Sequence, residues 1–156
     1  MLYTPEQEIR MAIRKPAYPA TRYEPGALID LTSRTERERL SASALRAFFN
    51  LMDRWSVRDL DARALLGGLS NGPYYIWKKQ PERLLDTDVL MRISYLTGIF
   101  KALNILYGEK LADEWIQLPN SNRIFAGRTP LDYMTRGGVP AMQTVRRLLD
   151  ARRGGI

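Results

Sequence analysis

The chain has neither cysteine nor histidine in its 156 residues. Without cysteine there is no disulfide framework and no thiolate nucleophile, a composition that suits a reducing, cytoplasmic setting. Without histidine, the side chain that most often serves as general base and as metal ligand is missing as well. No run of about 18 apolar residues appears, so no membrane span is expected. Arg10, Arg14 and Lys15 break the N-terminal stretch, so no secretory signal is expected either. Strand-like alternation, internal repeats, P-loops and dinucleotide-binding glycine fingerprints are all absent from the pattern. The carboxylate pairs Glu36/Glu38, Asp59/Asp61 and Asp86/Asp88 are two residues apart. On a helix that spacing makes them diverge, so they read as caps and solvated charges. The chain is therefore expected to be no enzyme and to need no cofactor or metal.

Positive charge is what the chain has in excess, with a formal net charge of +7. Residues 41–80 carry 6 basic and 3 acidic side chains, and residues 109–156 carry 8 and 5. Between them, residues 81–108 balance at 3 and 3. Two basic regions thus flank a neutral, apolar middle. Such a field favours polyanions by counterion release, though charge alone serves solubility equally well.

The apolar pattern is helical throughout, and the fold class expected is all-α. Pro5, Pro16, Pro19 and Pro25 divide residues 1–40, which read as an arm with a short helix near Glu6–Ile13. That arm is either a plain tail or a contact to DNA or a second subunit. Ala44, Leu45, Phe48, Phe49, Leu51 and Met52 form the stripe of a first core helix, with Ser41 or Ser43 as its cap. A second helix starts at Asp59 or Asp61 and stops at Gly67-Gly68. A third, capped by Ser70, runs from Asn71 to Lys79. A long central helix starts after Asp86 and reaches Tyr107, with Ile99, Ala102 and Ile105 widening its apolar face and Gly98 as a potential kink.

The second and third helices, joined by a glycine turn, have the form of a helix-turn-helix. Leu65, Leu66, Leu69 and Ile76 are expected to pack inward, with Trp77 largely buried. That leaves Asn71, Tyr74, Tyr75, Lys78 and Lys79 for a DNA groove: asparagine suits adenine, lysine suits guanine or phosphate, and tyrosine hydroxyls reach phosphates. The alternative is a plain helical hairpin with Tyr74, Tyr75 and Trp77 in the core.

At the other end, Thr129-Pro130 is a helix start, Gly137-Gly138 a stop and Pro140 a second start. Met142, Val145, Leu148 and Leu149 make the inward stripe of the last helix, with Arg146, Arg147, Arg152 and Arg153 outward. In the preceding loop Phe125 is expected to plug an apolar gap and Asn120 to satisfy its own turn. The closing Arg152-Arg153-Gly154-Gly155 reads either as a frayed terminus or as a narrow cationic segment fit for a cleft.

The spacing Leu65-Leu66-Gly67-Gly68-Leu69-Ser70 and then Tyr74-Tyr75-Ile76-Trp77-Lys78 resembles the N-terminal half of Xre antitoxins of RES–Xre toxin–antitoxin modules. The string Trp115, Pro119-Asn120, Phe125, Gly127, Thr129-Pro130-Leu131, Met134, Gly137, Val145-Arg146 and Leu149 to Gly155 is similar to the Xre/MbcA/ParS toxin-binding domain. Together these cover about residues 43–155. The resemblance implies a type II antitoxin that blocks the active site of a RES-domain, NAD-consuming toxin with its C-terminal part. It would place Arg152, Arg153, Gly154 and Gly155 nearest the toxin, with Arg128 and Arg146 at the rim. The expected organisation is an arm over 1–40, a helix-turn-helix region over 41–85 that binds promoter DNA, and a central helix with the toxin-binding module over 86–156. A homodimer within a larger complex is expected, with no membrane. The alternative function is a stand-alone transcriptional regulator whose C-terminal module mediates only self-association.

Overall fold

The computed structural model describes residues 29–154. The helix expected at 6–13, the rest of the arm before Ile29, and Gly155 lie outside the described residues. Every regular element within them is helical: α1 (Arg34–Arg54), α2 (Asp59–Leu65), α3 (Asn71–Lys79), α4 (Thr87–Tyr107), α5 (Glu109–Trp115), a 3-10 turn (Arg123–Phe125) and α6 (Pro130–Arg153). The all-α class expected from the pattern is the one found.

α4 is the hub because apart from one stripe, Ser94, Thr97, Lys101 and Asn104, its sides are apolar. Val89, Leu90, Ile93, Leu96, Ile99, Ala102 and Leu103 are buried on it, against α1, α5 and α6. Each large aliphatic side chain so removed from water is worth about 1.5–3 kcal/mol. By length and composition α4 is apolar enough to cross a membrane. Here eight of its residues, among them Leu90, Ile93, Leu96 and Leu103, are buried against other helices, as in a core helix. Asp86 caps its start by accepting the Val89 amide at 2.9 Å, and Gly108 ends it. Two expectations for this helix fail: Ile105 stays 63% exposed, and α4 runs through Gly98 without a kink.

α1 begins earlier than its apolar stripe suggests. Ser33, not Ser41 or Ser43, caps it, accepting the Glu36 amide. The charged run after Ser33 forms its first turns, with Arg34 paired to Glu38 and Arg39 to Glu36 on the surface. Ser41 is instead buried in the middle of the helix. Its hydroxyl donates to the Arg37 carbonyl and accepts the Leu85 amide at 2.9 Å, which ties the segment before α4 to α1. A serine satisfying two groups at once is tolerated inside a helix because neither partner is left dry.

Arg54, at the end of α1, stacks over Phe100 and pairs with Asp113 and Glu109 of α5. Gln117 donates to the carbonyls of Trp55 and Ser56, closing α5 onto the α1–α2 turn. In the loop after α5, Phe125 is fully buried edge-on between Trp115 and Tyr133, as expected. Asn120 accepts the Asn122 amide at 2.9 Å, satisfying its own turn. Thr129 caps α6 through the Asp132 amide, with Pro130 in the first turn. Gly138 takes a left-handed φ of 66°, so the axis breaks there and Pro140 opens the second segment. The expected stop and restart is this break.

Replacing Ser41 by alanine is expected to leave the Leu85 amide buried without a partner, at a cost of about 1–3 kcal/mol. Urea denaturation measures it; an unchanged midpoint would mean that water reaches that amide.

Candidate nucleic-acid interface and partner-binding tail

α2 and α3 are held together by one carboxylate. Asp59, in the first turn of α2, accepts the Tyr75 hydroxyl at 2.7 Å and the Tyr74 hydroxyl at 3.2 Å. The hydrogen bond from Tyr75 chiefly holds its carboxyl below the usual carboxylate range. Burial, then the charge of Asp59, pushes the Tyr74 phenol up to about 12. The turn between the helices reverses through Gly67 and Gly68, both left-handed, whose amides bond back to Ala64 and Arg63. Arg63 bonds the Leu69 carbonyl at 3.0 Å and reaches Asn71 at 3.4 Å, fixing the start of α3.

This geometry revises the face expected for DNA. Tyr74 is only 1% exposed, its ring edge-on to Phe49 and Tyr75, so it belongs to the core and cannot enter a groove. Ile76, expected to pack inward, is 53% exposed. Trp77 is half-buried under the Arg83 guanidinium rather than enclosed. Asn71, Tyr75, Lys78 and Lys79 are all exposed, so four of the five expected contacts share the solvent-facing part of α3. The Tyr75 hydroxyl donates to Asp59, so it faces outward as an acceptor and cannot also donate to a phosphate. What the sequence hid was the pairing with Asp59, which lets a tyrosine ring bury itself without an unsatisfied hydroxyl.

The arginines expected to meet a toxin separate into two kinds. Arg146 lies along α4, its guanidinium in the space a side chain at position 98 would occupy: a Cβ on Gly98 would sit 1.3 Å from its Nη1. Its Nε bonds Asp150 at 2.9 Å. Arg146 is therefore not the outward residue expected; it locks the second segment of α6 onto α4. Arg152, by contrast, is exposed and donates to the Tyr107 hydroxyl at 2.7 Å, a neutral partner. Arg153 is sheltered, with Asp150 at 3.9 Å as its nearest carboxylate. Arg128, at the far end of α6, is exposed and 3.8 Å from Asp132. Gly154 comes after the last turn and is exposed. Arg128 thus stands apart from the 152–154 cluster, with the buried core of α6 between them.

A polar cleft of ≈ 350 Å³ lies where α2 meets α6, lined among others by Arg58, Asp61, Gln117, Asp132 and Thr135. Among the described residues no three His, Cys, Asp or Glu side chains are grouped as metal ligands. The remaining carboxylates expected as caps and solvated charges act so: Asp86 caps α4, Asp61 pairs with Arg58, and Asp88 with Arg92.

Residues 102–155 match the antitoxin Xre/MbcA/ParS C-terminal toxin-binding domain. A protein of Sinorhizobium fredii named only as uncharacterized protein y4oB is 41% identical over 112 residues, covering 71% of this chain and 84% of its own. The chain belongs to the Xre/MbcA/ParS antitoxin family. No solved structure matches it significantly. The antitoxin's partner is accordingly a toxin, and the matched region comprises the end of α4, α5, the 3-10 turn and α6, including Arg128, Arg146 and the 152–154 cluster.

Two tests address this geometry. Gly98→Ala gains helix propensity of about 1 kcal/mol, and the penalty of displacing the flexible end of Arg146 is expected to offset that gain, leaving the antitoxin within about 1 kcal/mol of its natural stability. In an Arg146→Ala background the penalty should largely vanish in thermal melts; a penalty that persists would place the obstruction elsewhere. Second, Asp59 has its pKa depressed on folding, so its contribution is present above about pH 4 and is lost as pH falls through the folded value. The stability gap between the natural chain and Asp59→Asn should hold steady from neutral pH to about pH 5 and shrink below about pH 4. A gap independent of pH would mean that the carboxylate charge does not hold the two tyrosines.

Proposed function

We propose that this antitoxin neutralises a RES-domain, NAD⁺-consuming toxin in the cytoplasm by lodging the end of α6 at the toxin's active site. The observation that carries this reading is the position of Arg152 and Arg153. They stand beyond Leu149, the last fully buried residue of α6, inside the region matched to the toxin-binding domain. Among the described residues Arg152 is held by a phenol and by no carboxylate, so its fork remains suited to a phosphate or carboxylate in a partner's cleft. Gly154 and Gly155 add no side-chain bulk after the two arginines. Arg146 supports this contact from inside, and Arg128, at the other end of α6, would join it only at the edge of a toxin large enough to span the helix.

In the same reading the chain binds its own promoter as a homodimer, through α3. Lys78 and Lys79 make no ion pair among the described residues, so both remain available to phosphates. The engagement of Tyr75 by Asp59 favours a second reading, in which the helix-turn-helix is kept for packing and the chain only binds toxin.

One experiment separates these. NAD⁺ consumption by the product of the reading frame beside this gene, expected to be the RES-domain toxin, is monitored with the intact chain and with a chain ending at Asp150. The intact chain is expected to abolish turnover and the truncated one to lose at least about tenfold in potency, the equivalent of 1.4 kcal/mol. Equal inhibition would move neutralisation to the helical body, and no inhibition by either would leave a stand-alone regulator. In parallel, Lys78→Glu with Lys79→Glu should weaken the gel shift of the upstream DNA without altering inhibition.

A further inference from the structure

α3 turns only Tyr74 and Trp77 toward the protein, three residues apart on one side. The opposite side carries Gly72, Tyr75, Ile76 and Lys79, and Ile76 stands in its middle with 53% of its surface in water. Nothing in the fold asks for either small or apolar residues there. A Cβ at Gly72 would meet nothing within 4 Å, so the fold would accept a better helix former at that position. A missing side chain beside an exposed branched one leaves a surface with room for close approach and one stiff apolar probe. In a helix, isoleucine holds essentially one χ1 rotamer, so Ile76 presents its methyl groups in a fixed direction.

The charge around this face identifies what it fits. Lys79 shares it and Lys78 flanks it, both exposed. The carboxylate of Asp59, beside this helix, is engaged by the two tyrosine hydroxyls. In the major groove of DNA, the apolar feature that distinguishes base pairs is the C5-methyl group of thymine. We propose that Ile76 is a specificity-determining residue of this antitoxin, reading a thymine methyl in its operator while Lys78 and Lys79 hold the flanking phosphates. The inference rests on the DNA-binding role proposed for α3 and names the base feature that α3 reads.

The test uses the full chain and the duplex upstream of its own reading frame, prepared once with thymine and once with uracil, which lacks the methyl group. By fluorescence anisotropy the natural chain is expected to bind the thymine duplex about tenfold more tightly, within the range of a single lost base contact. Ile76→Ala, whose melting temperature should be unchanged because the side chain is exposed, is expected to bind both duplexes alike, at the level of the natural chain on uracil. Lys79→Ala should weaken both equally and keep the thymine preference.

Equal binding of the two duplexes by the natural chain, or a full thymine preference in Ile76→Ala, would overturn the assignment while leaving DNA binding intact. If Ile76→Ala instead lowers the mass measured by light scattering and spares DNA affinity, the face joins two copies of the chain and the assignment is equally overturned. Failure of the natural chain to bind the thymine duplex at all would remove the DNA-binding role of α3, and this inference with it.

Discussion

A helix that is apolar around most of its circumference has to be surrounded, and the rest of this fold is arranged to surround α4. α1 covers one flank, with Trp55 edge-on to Phe100 and Arg54 lying over the same ring. α5 folds back at Gly108, and the second segment of α6 closes the other flank. The last closure needs a close approach. Glycine at position 98 supplies the hollow, and Arg146 fills it with the flat guanidinium at the end of an aliphatic stem. The break at Gly138 serves the same end, since an unbroken α6 could not pack its first segment against α2 and then run along α4.

Surrounding α4 also decides where the two proposed surfaces stand. Gly67, in the turn before α3, lies against Asp88 and Arg92 near the start of α4. Arg152 meets Tyr107 at its end. The residues between, at about 1.5 Å of rise each, separate the two surfaces by roughly 25 Å. A partner seated on the tail therefore need not collide with whatever α3 contacts, and a rigid buried helix joins the two. This arrangement allows one chain to serve two macromolecular partners without a flexible hinge.

Element types and most boundaries are legible in the sequence because they depend on local chemistry: Asp86 and Thr129 as caps, Gly108 and Gly138 as stops, Pro130 and Pro140 as starts. What escapes it are contacts between residues distant along the chain. Ser41 has the look of a cap, and its use by the Leu85 amide is a tertiary fact. Tyr74 and Ile76, two apart, face nearly opposite sides of a helix too short for its period to choose between them. Hydrophobicity alone turns Ile76 inward. Asp59 reverses the choice by giving the tyrosine hydroxyl a partner, so the larger ring is buried instead. Gly98 shows the same limit, since a glycine in a helix signals a kink until the side chain that needs its space is known.

The arginines of α6 show why positive charge by itself does not locate a binding surface. Arg146 and Arg152 are equally cationic and stand less than two turns apart on the same helix. Arg146 is sheltered, has a carboxylate four residues along and occupies a hollow made by another helix, so its charge is compensated within the fold. Arg152 is exposed, rests on a neutral hydroxyl and lies past the last core residue. A hydrogen bond to a phenol orients a guanidinium without neutralising it, and so costs little to exchange for a phosphate or carboxylate that does. Judged by how far its charge is already compensated, Arg152 has more to gain from a partner than Arg146 does.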